Sequence, residues 1–549
     1  MQKPDEAISA AFAAYLGDVH GSWRGREKQL VLELVRSLDY AAFISEMDPS
    51  TARDARGKAM RHYIRVGAAF ALRPLLETID GDPTGVPWHP TDPELATFAD
   101  RHLEICGAFA ALKRLAALER YGLAKTSLLA DDHLSIEVVS DEEDRSDVES
   151  EGWLRYTALV PLLETRRSLA AMKNEIAARI DRYVAVDREW FIRYDTDEVL
   201  VAYHRAQAEI ACAGIPEMSA LPDEAILGGR SFVEWNRSSI EACRRILHHI
   251  AFATRLRATT PGLDLRNLLT VFALKEDIHA VWRESGETHY WAERVVAGLA
   301  LGASSAAKCE RDFEIPLPYY IDFGRHHYLL PVFGGLMNPG AGLVWHLRRE
   351  YRTDWDRVVD LREQVFREDL RSLFSPETHL IPSHGFKLRR ADGTVITDVD
   401  AVIVEKRSGA LALLQLKWFD IYGRSLAERH SKRSNLLKAN AWVQKVSEWI
   451  AGRSADETAK ALGLQGAGKD QPLLLIVARH AASFGGERDQ DPRANWISWP
   501  KLARTRSESA GQDLRTLLQV AKRQLSSQGW RRKNVSFQLP NLTVDVREV

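Results

Sequence analysis

Asp398 and Asp400 sit in one β-forming run, TVITDVDAVIVEK, and Gln415 and Lys417 sit in the next, ALALLQLKWF, with fifteen positions separating Asp400 from Gln415. Strand side chains alternate between faces, so Asp398 is expected to share a face with Asp400, and Gln415 with Lys417. Pairing of the two runs through the KRSG turn would bring a carboxylate, an amide oxygen and an ammonium to one point. Hard oxygen ligands of this kind suit Mg²⁺ or Mn²⁺, and a neighbouring lysine can orient or deprotonate an attacking water and stabilise a pentavalent phosphorus. The chemistry implied is metal-assisted phosphodiester hydrolysis. The plain alternatives are an exposed strand face beside a turn and a snorkelling strand-end lysine.

The stretch TDVDAVIVEKRSGALALLQLK resembles the signature of the PD-(D/E)xK nuclease superfamily: an Asp on one strand, then an acidic residue, any residue and Lys on the next. The resemblance implies a C-terminal α/β restriction-endonuclease-like domain with a mixed sheet flanked by helices. It makes Asp400 the metal-binding aspartate, with Asp398 as the alternative, and Lys417 the motif lysine. Gln415 stands where Asp or Glu is usual, a departure that lowers the charge of the site. Many members add a Glu from the preceding helix, and DWDRVVDLREQVFREDLRSLF offers Glu363 and Glu368. Glu363 is flanked by Val359, Phe366, Leu370 and Phe374 at helical offsets, which predicts a sheet-facing position, whereas Glu368 lies off that stripe. The expected catalytic set is therefore Asp400, Gln415, Lys417 and Glu363, with Asp400, Gln415 and Glu363 holding Mg²⁺ or Mn²⁺. The implied activity is that of an endodeoxyribonuclease acting on DNA in bacterial restriction, phage defence or repair. Three rivals remain: a catalytically silent nuclease-like module that binds nucleic acid or scaffolds a complex, an RNA-directed nuclease, and a helical scaffold whose C-terminal strands only pack.

A long helix-forming run after Lys417 carries Arg424, Arg429, Lys432, Arg433, Lys438 and Lys445, and residues 421 to 549 have a net charge of +10. Such side chains would hold nucleic acid through its phosphates, with salt-dependent and largely sequence-independent affinity. RRKN at 531 to 534 extends the same charge. A solvated helix face is the plain alternative.

These elements lie in a chain of 549 residues, 45% apolar and 27% charged, long enough for about two to four domains. Disorder and a small disulfide scaffold are excluded by this composition. Residues 351 to 549 hold 33 Lys plus Arg against 24 Asp plus Glu, a net of +9, leaving −11 for residues 1 to 350. Cys106, Cys212, Cys243 and Cys309 are scattered without C-x-x-C spacing and read as buried thiols of a reducing compartment. The start has no signal-peptide pattern, and no stretch reaches the roughly 20 apolar residues that cross a bilayer. A cytoplasmic protein with no membrane partner is expected. His248–His249 and His326–His327 are adjacent pairs unsuited to a zinc site.

Helical periodicity dominates residues 1–138 and 153–314, separated by the acidic stretch 139–152, which reads as a solvated loop. Residues 315–350 read as a β-hairpin turning at Gly324 and then a hinge in GGLMNPGAG. From 351 to 549 the order is helix, three strands, helix, strand, helix, with late strands in NVSFQLPNLTVDVREV. The helical region is where a homodimer interface or a protein partner is expected.

Overall fold

The computed structural model describes residues 4–47, 55–122, 124–130, 132–138, 145–359, 361–418, 426–480, 490–509, 511–523 and 534–548. Of the described residues 58% are helical, with helices prevailing in the N-terminal part and a mixed sheet near the C-terminus. Two apolar clusters build the helical part. Helices Pro4–His20, Glu27–Met47, Ala68–Ile79 and Pro93–Ala117 supply the first, and the long helix Phe232–Thr259 runs through the second. Ser231 and Glu234 close a capping box at the start of that long helix, satisfying backbone amides that the helix itself leaves open. No helix among the described residues is long and apolar enough to cross a membrane.

The expected hairpin is Tyr320–Phe323 with His327–Leu330, antiparallel, and Gly324 turns it with a positive φ of 72°. The stretch expected as a hinge is closely packed. Its glycines are sites of close packing: a Cβ on Gly334 would lie 2.2 Å from the Pro318 carbonyl oxygen, and one on Gly342 would lie 2.5 Å from that of Leu317. The helices Phe333–Met337 and Ala341–Glu350 run through this stretch. Glycine here lets backbones touch, a requirement that composition alone does not separate from flexibility.

The acidic stretch also differs from expectation. Arg145–Leu159 is a helix, and its Trp153 and Leu154 pack into the apolar cluster of the C-terminal sheet. Residues 139–144 lie outside the described residues. Residues 1–138, expected to be a mainly helical region, also contain a hairpin, Ala124–Ala130 with His133–Val138. The late strands Asn534–Leu539 and Leu542–Glu548 do not join the sheet of the domain they follow. Leu542–Glu548 pairs in parallel with His133–Val138, completing a four-stranded sheet with the N-terminal hairpin. Leu542, Val544 and Val546 are buried there, a partner face that pattern within one segment cannot reveal.

The C-terminal sheet is built from β1 (His379–Leu380), β4 (Ala401–Glu405), β5 (Leu411–Lys417), β6 (Leu473–Ala478) and β7 (Ala494–Ser498), in the order β1-β4-β5-β6-β7. β1 and β5 run antiparallel to β4, whereas β6 and β7 continue in parallel with β5. A parallel step needs a crossover, and the helix α2 (Leu426–Ile450) supplies it between β5 and β6. Strands buried on both faces read as continuous apolar runs, as β5 and β6 do. Helix α1 (Leu361–Leu373) covers one face through Phe366 and Leu370, against Ala401, Ile403, Leu414 and Leu416. Helix α2 covers the other through Ala439, Trp442, Val443 and Val446, against Val402, Val404, Leu411 and Leu413. A separate hairpin, β2 (Phe386–Arg389) with β3 (Val395–Val399), precedes β4.

Candidate active site

The run expected to be one strand through Asp398 and Asp400 is two. β3 ends at Val399 in the separate hairpin, β4 begins at Ala401 in the main sheet, and Asp400 is the bend between them. The two aspartates therefore do not share one regular strand face. Asp398 is exposed, while Asp400 is only 7% exposed. The Asp400 amide still donates to the Leu414 carbonyl at 3.0 Å, extending the β4–β5 ladder by one step. Since Ala401 opposes Leu414, this places Asp400 across from Gln415. Gln415 and Lys417 alternate with Leu414 and Leu416, so they fall on the α2 side of the sheet, at the end of β5.

Burial governs the electrostatics. Asp400 has its carboxyl pushed up to about 7, first by desolvation and next by the nearby Glu363 carboxylate, against the opposing pull of the Leu416 amide and Lys417. One of its oxygens, Oδ2, accepts from the Leu416 amide at 2.7 Å. Burial likewise pushes the Lys417 ammonium down, while Asp400, Asp398 and Glu363 pull it back up. Asp400, Lys417, Glu363 and Asp398 thus act on one another as a single cluster. Gln415 is 9% exposed, and its Oε1 is buried without a hydrogen-bond partner. A buried orphan acceptor costs free energy unless something is meant to meet it.

Glu363 is not on the sheet-facing stripe as expected. Its side chain is 48% exposed and pairs with Arg367 one turn on. The stripe is carried by Phe366 and Leu370, with Arg362 and Arg367 also buried, and Glu363 precedes the part of α1 that the sheet covers. It nevertheless acts on both Asp400 and Lys417, whereas Glu368 is exposed and pairs with Arg371. Of the two glutamates, Glu363 is therefore the one whose charge reaches Asp400 and Lys417.

Arg367 is a residue that the sequence does not single out. Its buried guanidinium donates from Nε to the Asp400 carbonyl at 2.6 Å, from one terminal nitrogen to the Ser383 carbonyl at 3.3 Å, and from the other to Glu363. It ties α1, the bend and the loop before β2 together. The available signal was its spacing, one helical turn from Glu363, which is equally the spacing of an ordinary surface pair.

Of the basic residues expected to meet nucleic acid, Arg424 lies outside the described residues. Arg429, Lys432 and Arg433 lie in the first turns of α2, and their side chains are also outside the description. Lys438 is exposed and acts on Lys417. Lys445 is exposed two turns further along. Residues 531–533 of RRKN lie outside the described residues. Asn440 accepts from the Asp491 amide at 3.0 Å, and Gln444 donates to Glu448 at 3.1 Å, so both are engaged in local structure. The four cysteines are free and buried. His248 meets His204 at 3.0 Å and His249 meets Tyr194 at 2.9 Å.

Among the described residues, no three His, Cys, Asp or Glu side chains form a metal-binding group. The donor set at the β5 end is mixed: the Asp400 carboxylate, the Gln415 carboxamide and, at the rim, Glu363. Oxygen donors of this kind suit a hard divalent cation, and the orphaned Gln415 Oε1 is an acceptor that such a cation would satisfy. No protein-family model, curated protein or solved structure matches the chain.

Proposed function

We propose that the C-terminal region is a PD-(D/E)xK-like nuclease domain that hydrolyses DNA phosphodiester bonds with the help of Mg²⁺ or Mn²⁺. The observation that carries this reading is the buried, unpartnered Gln415 Oε1 lying across from Asp400 and two residues from Lys417 on one strand face. An antiparallel β4–β5 pair, parallel β6 and β7, a helix before the sheet and a crossover helix after β5 support the restriction-endonuclease-like fold. Asp400 and Gln415 would hold the cation, with Glu363 completing the set once released from Arg367. Bound there, the cation would supply Lewis-acid polarisation of the scissile phosphate.

The remaining chemistry falls to the chain itself. Desolvation lowers the cost of removing a proton from Lys417 Nζ, so this group is suited to take a proton from the attacking water or to orient it. In its charged form, the same ammonium stabilises negative charge gathering on the phosphoryl oxygens. Asp400 carries its full charge only above about pH 7 in the absence of a cation, so proton and cation compete for it.

A second reading, a module that binds nucleic acid without cutting it, is favoured by the neutral Gln415 and by the engagement of Glu363 with Arg367. Incubation of the full-length protein with supercoiled plasmid, linear duplex, single-stranded DNA and RNA, in Mg²⁺, Mn²⁺ or EDTA, separates them. Metal-dependent cutting lost in both Asp400→Ala and Lys417→Ala is the expected result, and the nucleic acid consumed identifies the substrate. Binding without cutting under every metal would establish the second reading. A place in restriction, phage defence or repair is part of the proposal and rests on the resemblance alone.

A further inference from the structure

Several basic side chains around the C-terminal sheet are paired with carboxylates, as Arg371 is with Glu368, Lys460 with Asp456 and Arg504 with Glu508. The β2–β3 hairpin is different. Phe386 and Leu388 turn inward onto the α2 cluster, so the alternating Lys387 and Arg389 share the outward face, both exposed. Among the described residues, neither they nor Arg390 form an ion pair. Arg389 donates to the Gly393 carbonyl at 2.7 Å, a neutral partner that orients the guanidinium without cancelling its charge, whereas Arg390, which donates to the Thr394 hydroxyl at 3.4 Å, also acts on the Asp392 carboxylate.

This stripe begins beside the candidate active site. Lys387 lies across from Asp398, whose carboxylate acts on both Asp400 and Lys417. The hairpin is also held in place. Trp442 Nε1 donates to the Asp398 carbonyl at 2.6 Å and Trp449 Nε1 to the Arg389 carbonyl at 3.1 Å, fastening both strands to α2. Outward side chains two residues apart on a strand are separated by about 6.7 Å, comparable to the step from one backbone phosphate to the next.

We propose that the outward face of the β2–β3 hairpin is the surface along which a nucleic-acid backbone runs, with Lys387 and Arg389 contacting successive phosphates. The proposal rests on the nuclease reading for what happens to the bound strand, but binding is measured separately from cutting. Contacts to phosphate position the strand and carry no base preference. DNA and RNA offer the same phosphates, so the experiment distinguishes them by probe.

Full-length protein in EDTA is titrated with fluorescein-labelled duplex DNA, single-stranded DNA and single-stranded RNA at several salt concentrations. The variants are Lys387→Ala/Arg389→Ala, the charge-reversed Lys387→Glu/Arg389→Glu, and Lys460→Ala as a surface control, with folding checked by circular dichroism. Removing two phosphate contacts is expected to reduce the slope of log Kd against log salt by about 1.8 on duplex or about 1.4 on a single strand. The reversed variant is expected to bind more weakly still, and the control to match the parent protein. Unchanged affinity and slope in the reversed variant would overturn the proposal, as would a parent protein that binds none of the probes. Hairpin-dependent binding with no cutting under Mg²⁺ or Mn²⁺ would defeat the nuclease reading alone. Metal-dependent cutting with hairpin-independent binding would defeat the hairpin alone.

Discussion

A guanidinium buried among three acceptors cannot be shortened without stranding some of them, and Arg367 holds the Asp400 carbonyl, the Ser383 carbonyl and Glu363 at once. Lysine keeps the charge but has no planar fork to reach three segments. Arg367→Lys is expected to bind Mn²⁺ several-fold more weakly and to cut at least tenfold more slowly while keeping its fold. Calorimetric titration with Mn²⁺ and single-turnover cleavage test this, and parent-like values in both would show that Arg367 only packs. Asp400 makes a prediction of its own through its raised carboxyl. A folded-state pKa above the unfolded one means that stability is fully present below about pH 4 and is lost as pH rises through about 7. Asn can still accept from the Leu416 amide but does not titrate. In EDTA, Asp400→Asn should therefore be more stable than the parent at pH 8, by about 2–4 kcal/mol, with the gap closing towards pH 4. Urea unfolding at both pH values measures it, and a pH-independent gap would mean that burial does not govern this carboxyl. The Asn variant should also lose metal-dependent cutting, which separates its stability from its activity.

The elements that carry these residues depend on a few cross-links. Trp442 lies in the α2 cluster and also donates to the Asp398 carbonyl, so Trp442→Phe keeps most of the apolar surface and deletes one hydrogen bond between α2 and β3. The expected cost is about 1 kcal/mol. Faster amide exchange in β2 and β3 than in β4 and β5 would show the hairpin loosening; uniform protection across all four strands would show that the indole bond is dispensable. Much of this architecture was legible from periodicity: the apolar runs of β5 and β6, the helix carrying Glu363, the long helix after Lys417 and the hairpin at Gly324 all follow from local pattern. The bend at Asp400 was not. Asp398, Val399 and Asp400 alternate as a continuous strand would, and the break arises from a change of pairing partner, from β2 to β5, that no single run records. Glu363 was misplaced for a related reason. A helical stripe tells which residues face inward, but not how far along the helix the sheet extends. The packed glycines at 334 and 342 read as a hinge because close approach and flexibility call for the same residue.

At the scale of the whole molecule, the region from residue 351 is tied to the helical part at several points. Arg362 at the start of α1 donates to the Ala220 carbonyl at 3.0 Å and stacks near Trp355 and Trp418, the latter adjoining Lys417. The helix Arg145–Leu159 packs Trp153 and Leu154 against the cluster beneath the C-terminal sheet, and the final strands return to the N-terminal hairpin. The charge split of −11 and +9 invites the idea that the acidic part masks a basic face, but removing residues 1–350 would not test it cleanly. That deletion would also take away His133–Val138, the partner of Leu542–Glu548, and leave the apolar edge of a severed sheet exposed. Deleting residues 534–549 asks a sharper question. It removes the buried Leu542, Val544 and Val546, each worth about 1.5–3 kcal/mol, from a sheet that does not contain the candidate site. Limited proteolysis should then cut within residues 124–138 at least tenfold faster than in the parent protein, because that hairpin has lost a neighbouring strand. Metal-dependent cutting per folded molecule should stay within about twofold, since β4, β5, α1 and Arg367 keep all their contacts. Protection of 124–138 as strong as in the parent would show that the returning strands do not hold the N-terminal sheet. Loss of cutting without loss of folded protein would show that the N-terminal sheet and the site are coupled across the molecule.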